Sequence, residues 1–295
     1  MKIILFLGVL AFFMFHNGLP VGNILEDEKV SEEIVYLVRA NTGDIVELGF
    51  EEYLKGVVYA EMPASFSNEA LKAQAVAART YTRFKLEENN HICDDPAHCQ
   101  AWIENDYSSE FEKVAHAVDD TKGEIVTYLG EAIQAFFHSS SGGKTESSKN
   151  VWGKEIPYLV AVDSPNEDKI MSTFYSEKEF SYKEVKDRIN GVLGSGSVTT
   201  EKLKSKIKVL ARTEGNRVKE LKVDKVVLSG SEVRNIFDLR SANFEVELKE
   251  NSVVFKVKGY GHGVGMSQWG AEVMAKEGKS YREILSYYYP DTEIL

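Results

Sequence analysis

The sequence predicts an α+β fold of mixed helices and antiparallel strands, preceded by an N-terminal membrane-targeting helix. Three observations carry this. Leu54, Val57, Val58 and Glu61 stand at offsets of three and four, and an alanine-rich stretch over 70–86 has strong helix propensity. Short apolar runs at 34–38 and 45–48 flank the turn residues Asn41, Thr42, Gly43 and Asp44, the pattern of a hairpin. Lys2 precedes a continuous apolar run over 3–15, the layout of a targeting segment.

That first run is shorter than the roughly 20 residues that span a bilayer. Leu19 and Val21 extend it, and no small-x-small cleavage site follows. Residues 1–21 therefore read as a retained anchor, with Lys2 on the cytoplasmic side and the remainder outside. Secretion after signal cleavage is the alternative. Residues 22–33 are acidic and aperiodic, a linker, and the folded part runs over 34–295. At 295 residues, 43% of them hydrophobic, the chain is long enough to bury a substantial core. Its 35 Lys and Arg against 46 Asp and Glu give a net charge of -11, which disfavours nucleic acid and anionic lipid as partners. A neutral polymer remains compatible.

Along the folded part, a first helix begins at Phe50 and stops at Pro63. A second follows over 70–86 with Ser67 as its N-cap. The chain is irregular over 91–99 and helical over 110–121, with strands over 124–129 and 132–137 around a Gly130-Glu131 turn. A Ser/Gly loop over 139–143 leads to Val151-Trp152-Gly153. A charged, variable region over 168–250 carries helical stretches at 181–191 and 200–206 and strands at 207–213, 218–228 and 244–248. A strand over 253–257 enters a glycine-dense segment, 259–266, and a last helix spans 267–277 before a Tyr-rich end.

Glu61 is the residue best placed for acid chemistry. It closes an apolar helical stripe, and burial among apolar neighbours raises a carboxyl's pKa, as a general acid requires. An ordinary Glu near a helix end has the same spacing, so the local pattern alone does not decide.

The wider text does. Glu61-Met62-Pro63 followed by the helix from Ala70 through Gln74 and Arg79 to Tyr81 resembles the signature of the stage II sporulation protein D family. Ser141-Gly142-Gly143-Lys144-Thr145-Glu146, with Val151-Trp152-Gly153 and Tyr158-Leu159, resembles its central motif. Gly261-His262-Gly263-Val264-Gly265-Met266-Ser267-Gln268-Trp269-Gly270-Ala271 resembles its C-terminal motif. The resemblance spans most of 50–290. It implies a glycan-binding cleft and lytic transglycosylase activity on peptidoglycan stripped of stem peptides. In that reaction the muramic acid C6 hydroxyl attacks its own anomeric carbon, so one carboxyl suffices. Glu61 is expected to serve as acid and then base. The resemblance also implies action in sporulation engulfment, beside a cell-wall amidase and a membrane scaffold protein. A non-catalytic wall-binding module or amidase enhancer is the competing function.

Substrate contacts are expected from Gln74, Arg79, Tyr81, Ser141, Gly143, Thr145, Glu146, His262 and Gln268. Arg79 could orient a carboxyl or sugar oxygen. The loop at 140–146 could present hydroxyls and amides to saccharide, with Glu146 a reserve carboxyl. The glycines around His262 leave room for a ligand against the backbone. Trp152 and Trp269 offer stacking faces or core volume, core being preferred. His138-Ser139-Ser140-Ser141 is not by itself a hydrolase triad, and no phosphate-binding glycine loop or His-Glu-x-x-His occurs.

The two cysteines, Cys93 and Cys99, lie in a loop with His91 and His98. Thiolates and imidazoles suit a structural, tetrahedral zinc, with His91, Cys93, His98 and Cys99 as ligands. A disulfide is the other reading for an extracytoplasmic chain. Zinc is preferred, because a disulfide leaves the histidines unexplained and some members of the resembled family carry zinc here.

Overall fold

Ile34–Val38 (β1) and Ile45–Gly49 (β2) pair antiparallel in the computed structural model of the chain, which describes residues 33–199 and 203–295. The expected anchor over 1–21 and nearly all of the linker lie outside the described residues. Among those described, no helix is long and apolar enough to cross a membrane.

Phe50–Glu61 (α1) follows β2 directly and stops before Pro63, which cannot continue a helix. Asn68–Glu88 (α2) is the central helix. Its buried alanines, including Ala70, Ala73, Ala77 and Ala78, let neighbours approach from all sides. Ser67 does not cap it through its side chain; its amide instead donates to Glu272 Oε2 at 2.7 Å. Ile92–Cys93 (β3) then runs parallel to β1 on the edge away from β2. Ser109–Asp119 (α3) is capped by Ser108, whose hydroxyl accepts from the Phe111 amide at 3.1 Å.

Val126–Tyr128 (β4) and Glu131–Ala132 (β5) turn at Leu129-Gly130, both at positive φ, one residue earlier than expected. The anticipated strand over 132–137 is broken: only Phe137–His138 (β6) re-enters a ladder. Ser148–Trp152 (α4) is a short turn of helix ended by Gly153.

Next come Tyr175–Ser181 (β7), Tyr182–Leu193 (α5), Ile207–Arg212 (β8), Val218–Val223 (β9), Val226–Ser229 (β10), Gly230–Phe237 (α6), Phe244–Leu248 (β11) and Ser252–Lys258 (β12). The strand expected over 218–228 is a hairpin, because Asp224 sits at φ 54° and reverses the chain. Of the helix expected over 200–206, residues 204–206 form a turn and 200–202 lie outside the described residues. Sheets β10-β9-β8 and β11-β12-β7 enclose a core of their own with α5 and α6. Phe180, Phe237, Phe244 and Phe255 meet there at centroid distances of 5.0–6.1 Å. The charged region thus carries a second hydrophobic core on its inner faces and its charges outside.

Met266–Ser267 (β13) pairs parallel with β6, and Gln268–Lys276 (α7), Tyr281–Tyr288 (α8) and Glu293–Ile294 (β14) complete the chain. Helices α7 and α8 return to α2, closing the first core, and β14 pairs with β4. The fold is α+β as expected, with two parallel pairs, β1/β3 and β6/β13, among otherwise antiparallel ladders.

Candidate active site

Glu61 is the last residue of α1. The segment 101–103 crosses that helix at Gly56, where a Cβ would lie 2.3 Å from Trp102 Nε1 and 2.5 Å from the Ile103 carbonyl. A side chain there would lift the crossing segment away. Held down, its Ala101 amide donates to Glu61 Oε1 at 2.7 Å, and Ile103 donates to the Gly56 carbonyl at 3.2 Å. The second Glu61 oxygen has no hydrogen bond among the described residues. Burial raises the Glu61 pKa above the usual carboxylate range, and the Ala101 amide acts in the opposite direction.

Glu61 lines a cleft of about 780 Å³, together with Tyr81, Lys85, Trp152, His262 and Gln268. It is the only carboxylate among the described lining residues. The far wall carries two histidines with ring centroids 5.5 Å apart. His138 Nδ1 faces the Val264 carbonyl at 3.1 Å and must carry the proton, which leaves Nε2, without a protein partner, as an acceptor. Burial holds the His138 pKa well below its ordinary value. His262 accepts the Val264 amide on Nδ1 at 3.1 Å, and burial, with Arg234 and Arg217 nearby, pushes its pKa down to about 4. Both rings are therefore neutral at neutral pH. Trp152 is 44% exposed, with its ring 4.6 Å from Phe136 and 5.5 Å from His262. It lines the cleft and is not core, contrary to expectation. Trp269 is partly buried against the first core, edge-on to Phe66 at 4.7 Å.

Of the residues expected to touch substrate, Tyr81, His262 and Gln268 line the cleft with Glu61. The others lie elsewhere. Gln74 is buried behind the wall, its Oε1 3.4 Å from Gln268 Nε2. Arg79 is on another face of α2, 1% exposed. It forks onto Glu51 at 3.0 and 2.7 Å and donates to the Val118 and Glu124 carbonyls, so it ties α1, α2 and α3 together. Gln74 and Tyr81 stand a heptad apart on α2, and Arg79 is displaced from their face.

The Ser/Gly loop also turns inward. Ser141 is buried and donates to Glu167 Oε1 at 2.5 Å; Gly143 donates to Ser141 Oγ at 3.0 Å; Thr145 Oγ1 accepts from the Val162 amide at 2.7 Å. Glu146 accepts from the Ser147 amide and Asn150 Nδ2, both at 2.9 Å, and from the Thr213 hydroxyl. The serine hydroxyls serve Glu167 in place of a saccharide. This buried carboxylate also accepts from Ser140 Oγ at 2.5 Å, the Ser141 amide at 3.0 Å, Ser164 Oγ at 2.6 Å and Ser267 Oγ at 2.9 Å. Nor do the glycines near His262 all make room for a ligand. A Cβ on Gly263 would lie 1.9 Å from Arg217 Nη2, so that glycine admits a guanidinium.

Beside the cleft, the ligand atoms of Cys93, His98 and Cys99 lie within 4.8 Å of one another, with His98 Nδ1 3.2 Å from each sulfur. Both cysteines are free thiols. Two sulfurs and one imidazole nitrogen at these separations fit three corners of a tetrahedral zinc site. His91 is exposed, with Nδ1 3.2 Å from Asn90 Oδ1, outside the trio. Of the four expected ligands, the structure brings three together. His98 and Cys99 also line the cleft.

Known proteins extend this picture. A family described as "Stage II sporulation protein" matches residues 39–128, which carry Glu61 and the Cys/His trio. "Stage II sporulation protein D" of Bacillus subtilis (strain 168) is 34% identical over 291 residues, covering 93% of this chain and 82% of the relative. The chain belongs to the stage II sporulation protein D family. The protein of the same name from Bacillus amyloliquefaciens is 35% identical over 282 residues, covering 90% and 80%. "Amidase enhancer" of Bacillus subtilis (strain 168) is 32% identical over 287 residues, covering 82% of this chain and 40% of the relative. A domain of unknown function matches 154–265, which in this sporulation protein D family member includes most of the second core and His262.

Proposed function

We propose that this chain is a lytic transglycosylase that cuts the glycan strands of denuded peptidoglycan, leaving 1,6-anhydromuramic acid ends. The observation that carries the reading is that Glu61 is the single carboxylate among the described residues lining the cleft. Hydrolysis of a glycoside ordinarily employs two carboxyl groups, one for the leaving oxygen and one for water or the anomeric carbon. Intramolecular attack needs one. Glu61 donates its proton to the glycosidic oxygen as the bond to muramic C1 breaks. The C6 hydroxyl closes on C1, and its proton passes to the Glu61 carboxylate, restoring the acid. Trp152, 44% exposed, offers a stacking face to a pyranose beside Glu61.

Product analysis tests the reading. Mass spectrometry of denuded glycan incubated with the full chain is expected to show anhydro ends. Reducing ends would indicate hydrolysis, and binding without products would favour an amidase-enhancing module, the activity in the name of one relative.

Cys93, His98 and Cys99 would hold zinc as a structural ion, bracing the loop whose continuation supplies the Ala101 amide to Glu61. Metal analysis is expected to find about one zinc per chain. Cys99→Ser should lower that content and His91→Ala should leave it unchanged; a zinc-free chain without titratable thiols overturns the site.

The apolar run over 3–15 supports single-pass membrane anchoring with the folded part outside the cell membrane. The partners would be glycan strands, a sporulation cell-wall amidase that removes stem peptides, and a membrane scaffold protein of engulfment. Deletion of residues 1–21 should move the chain from the membrane fraction to the soluble one, and unchanged fractionation counts against the anchor.

A further inference from the structure

A second cavity of about 300 Å³ opens from the cleft and shares Trp152, Arg234, Gly261 and His262 with it. Its charged lining is Glu146, Arg217, Lys219 and Arg234, a cationic excess in a chain whose net charge is -11. Glu146 is committed to Ser147, Asn150 and Thr213. Arg217, 3% exposed, spends its terminal nitrogens on the Ser141, Lys144 and Gly215 carbonyls, yet its buried Nε has no partner. Lys219 is exposed and lines the second cavity alone, whereas Arg234 is the half-buried cation common to both cavities. Its Nε lies 3.4 Å from the Leu239 carbonyl, and among the described residues its two terminal nitrogens hold no hydrogen bond or ion pair. A guanidinium serving only to cap α6 would direct those nitrogens to the last carbonyls of the helix. Arg234 instead lines both cavities.

A planar fork with free terminal donors matches a carboxylate on two bonds, a geometry no neutral sugar hydroxyl reproduces. We propose that Arg234 forms an anion subsite that takes the free lactyl carboxylate of a muramic acid residue bound in the cleft. The inference rests on the glycan-cleaving function above and adds the basis of its selectivity. In a glycan of N-acetylglucosamine and N-acetylmuramic acid, the lactyl group is the acidic one. It is a carboxylate when no peptide is attached and a neutral amide when one is. Arg234 therefore distinguishes strands whose lactyl amide has already been hydrolysed from those that still carry a peptide.

The test compares denuded glycan with the same glycan after its carboxylates are converted to methylamides, each incubated with the full chain and with Arg234→Gln and Arg234→Lys. The wild type is expected to cut the carboxylate form about tenfold faster or more. Arg234→Gln should lose that factor on the carboxylate form and cut both forms at similar rates. Arg234→Lys, which keeps the charge without the fork, should recover part of the preference. A wild type indifferent to amidation, or an Arg234→Gln variant that retains the preference, overturns the subsite while leaving the glycan-cleaving function standing. A wild type that cuts neither form and binds neither overturns both. If Arg234→Gln does not fold, the wild-type comparison and Arg234→Lys still decide.

Discussion

Replacing Glu61 with Gln is expected to lower turnover of denuded glycan by about a thousandfold, the scale of a lost general acid and base. The fold should survive, because a Gln carbonyl can still accept the Ala101 amide that now binds Glu61 Oε1 at 2.7 Å. A thermal midpoint close to the wild type with activity lost locates the effect in chemistry. A fully active Glu61→Gln chain refutes the assignment. The wild-type pH profile checks the same residue independently. Glu61 must be protonated to donate, and burial raises its pKa, so the acidic form persists to higher pH than for an exposed Glu. The rate should therefore fall as pH rises through that raised value, with the descending limb above the roughly 4.3 of an unperturbed Glu. His138 and His262 stay neutral across that range and should add no ascending limb near neutral pH.

The second large effect is on stability. Glu167→Ala is expected to cost about 3–5 kcal/mol, because it leaves five donors, the hydroxyls of Ser140, Ser141, Ser164 and Ser267 and the Ser141 amide, without their buried acceptor. Glu167→Gln should cost clearly less. Four of the five donors are hydroxyls that can rotate to accept from an amide, and the Ser141 amide can keep the remaining oxygen. Urea denaturation of the three chains measures this, and equal midpoints for wild type and Glu167→Ala would refute it. Ser267 also accepts the Gly270 amide at 3.2 Å, and His138 and Ser139, which lead directly into the serines that Glu167 holds, form part of the cleft wall. Glu167→Ala should therefore weaken activity as well as stability, although Glu167 lines neither cavity.

Several elements were legible from local pattern. The stripe Leu54, Val57, Val58 and Glu61 specified α1 and placed Glu61 at its end, and Pro63 marked the stop. The alanines of α2 announced a close-packed helix. Other elements carried signals that hydrophobic period does not register. Helices α6 and α8 begin with the capping boxes Ser229/Glu232 and Ser280/Glu283, and that spacing is the cue that would have found them. Arg234 stands two residues beyond the first box. The hairpin at Asp224 was hidden because a single left-handed residue divides a stretch whose mixed apolar and charged pattern is the same on both sides.

Sequence by itself determined the place of Glu61 at the end of α1, the α+β class, the family, and the loop in which two cysteines meet a histidine. The helix end and the loop follow from spacing along one element, where neighbours in sequence are neighbours in space, and the family follows from three ordered motifs along the chain. Only the tertiary structure decided which polar residues reach the cleft. Gln74, Arg79, Ser141 and Glu146 look as ready for a sugar as Tyr81 or Gln268, but each is buried against partners from distant segments: Gln268, Glu51, Glu167 and Thr213. A buried polar group must find its hydrogen bonds within the protein, and those partners lie 26 to 194 residues away in the chain. Spacing within one motif does not reveal partners that distant.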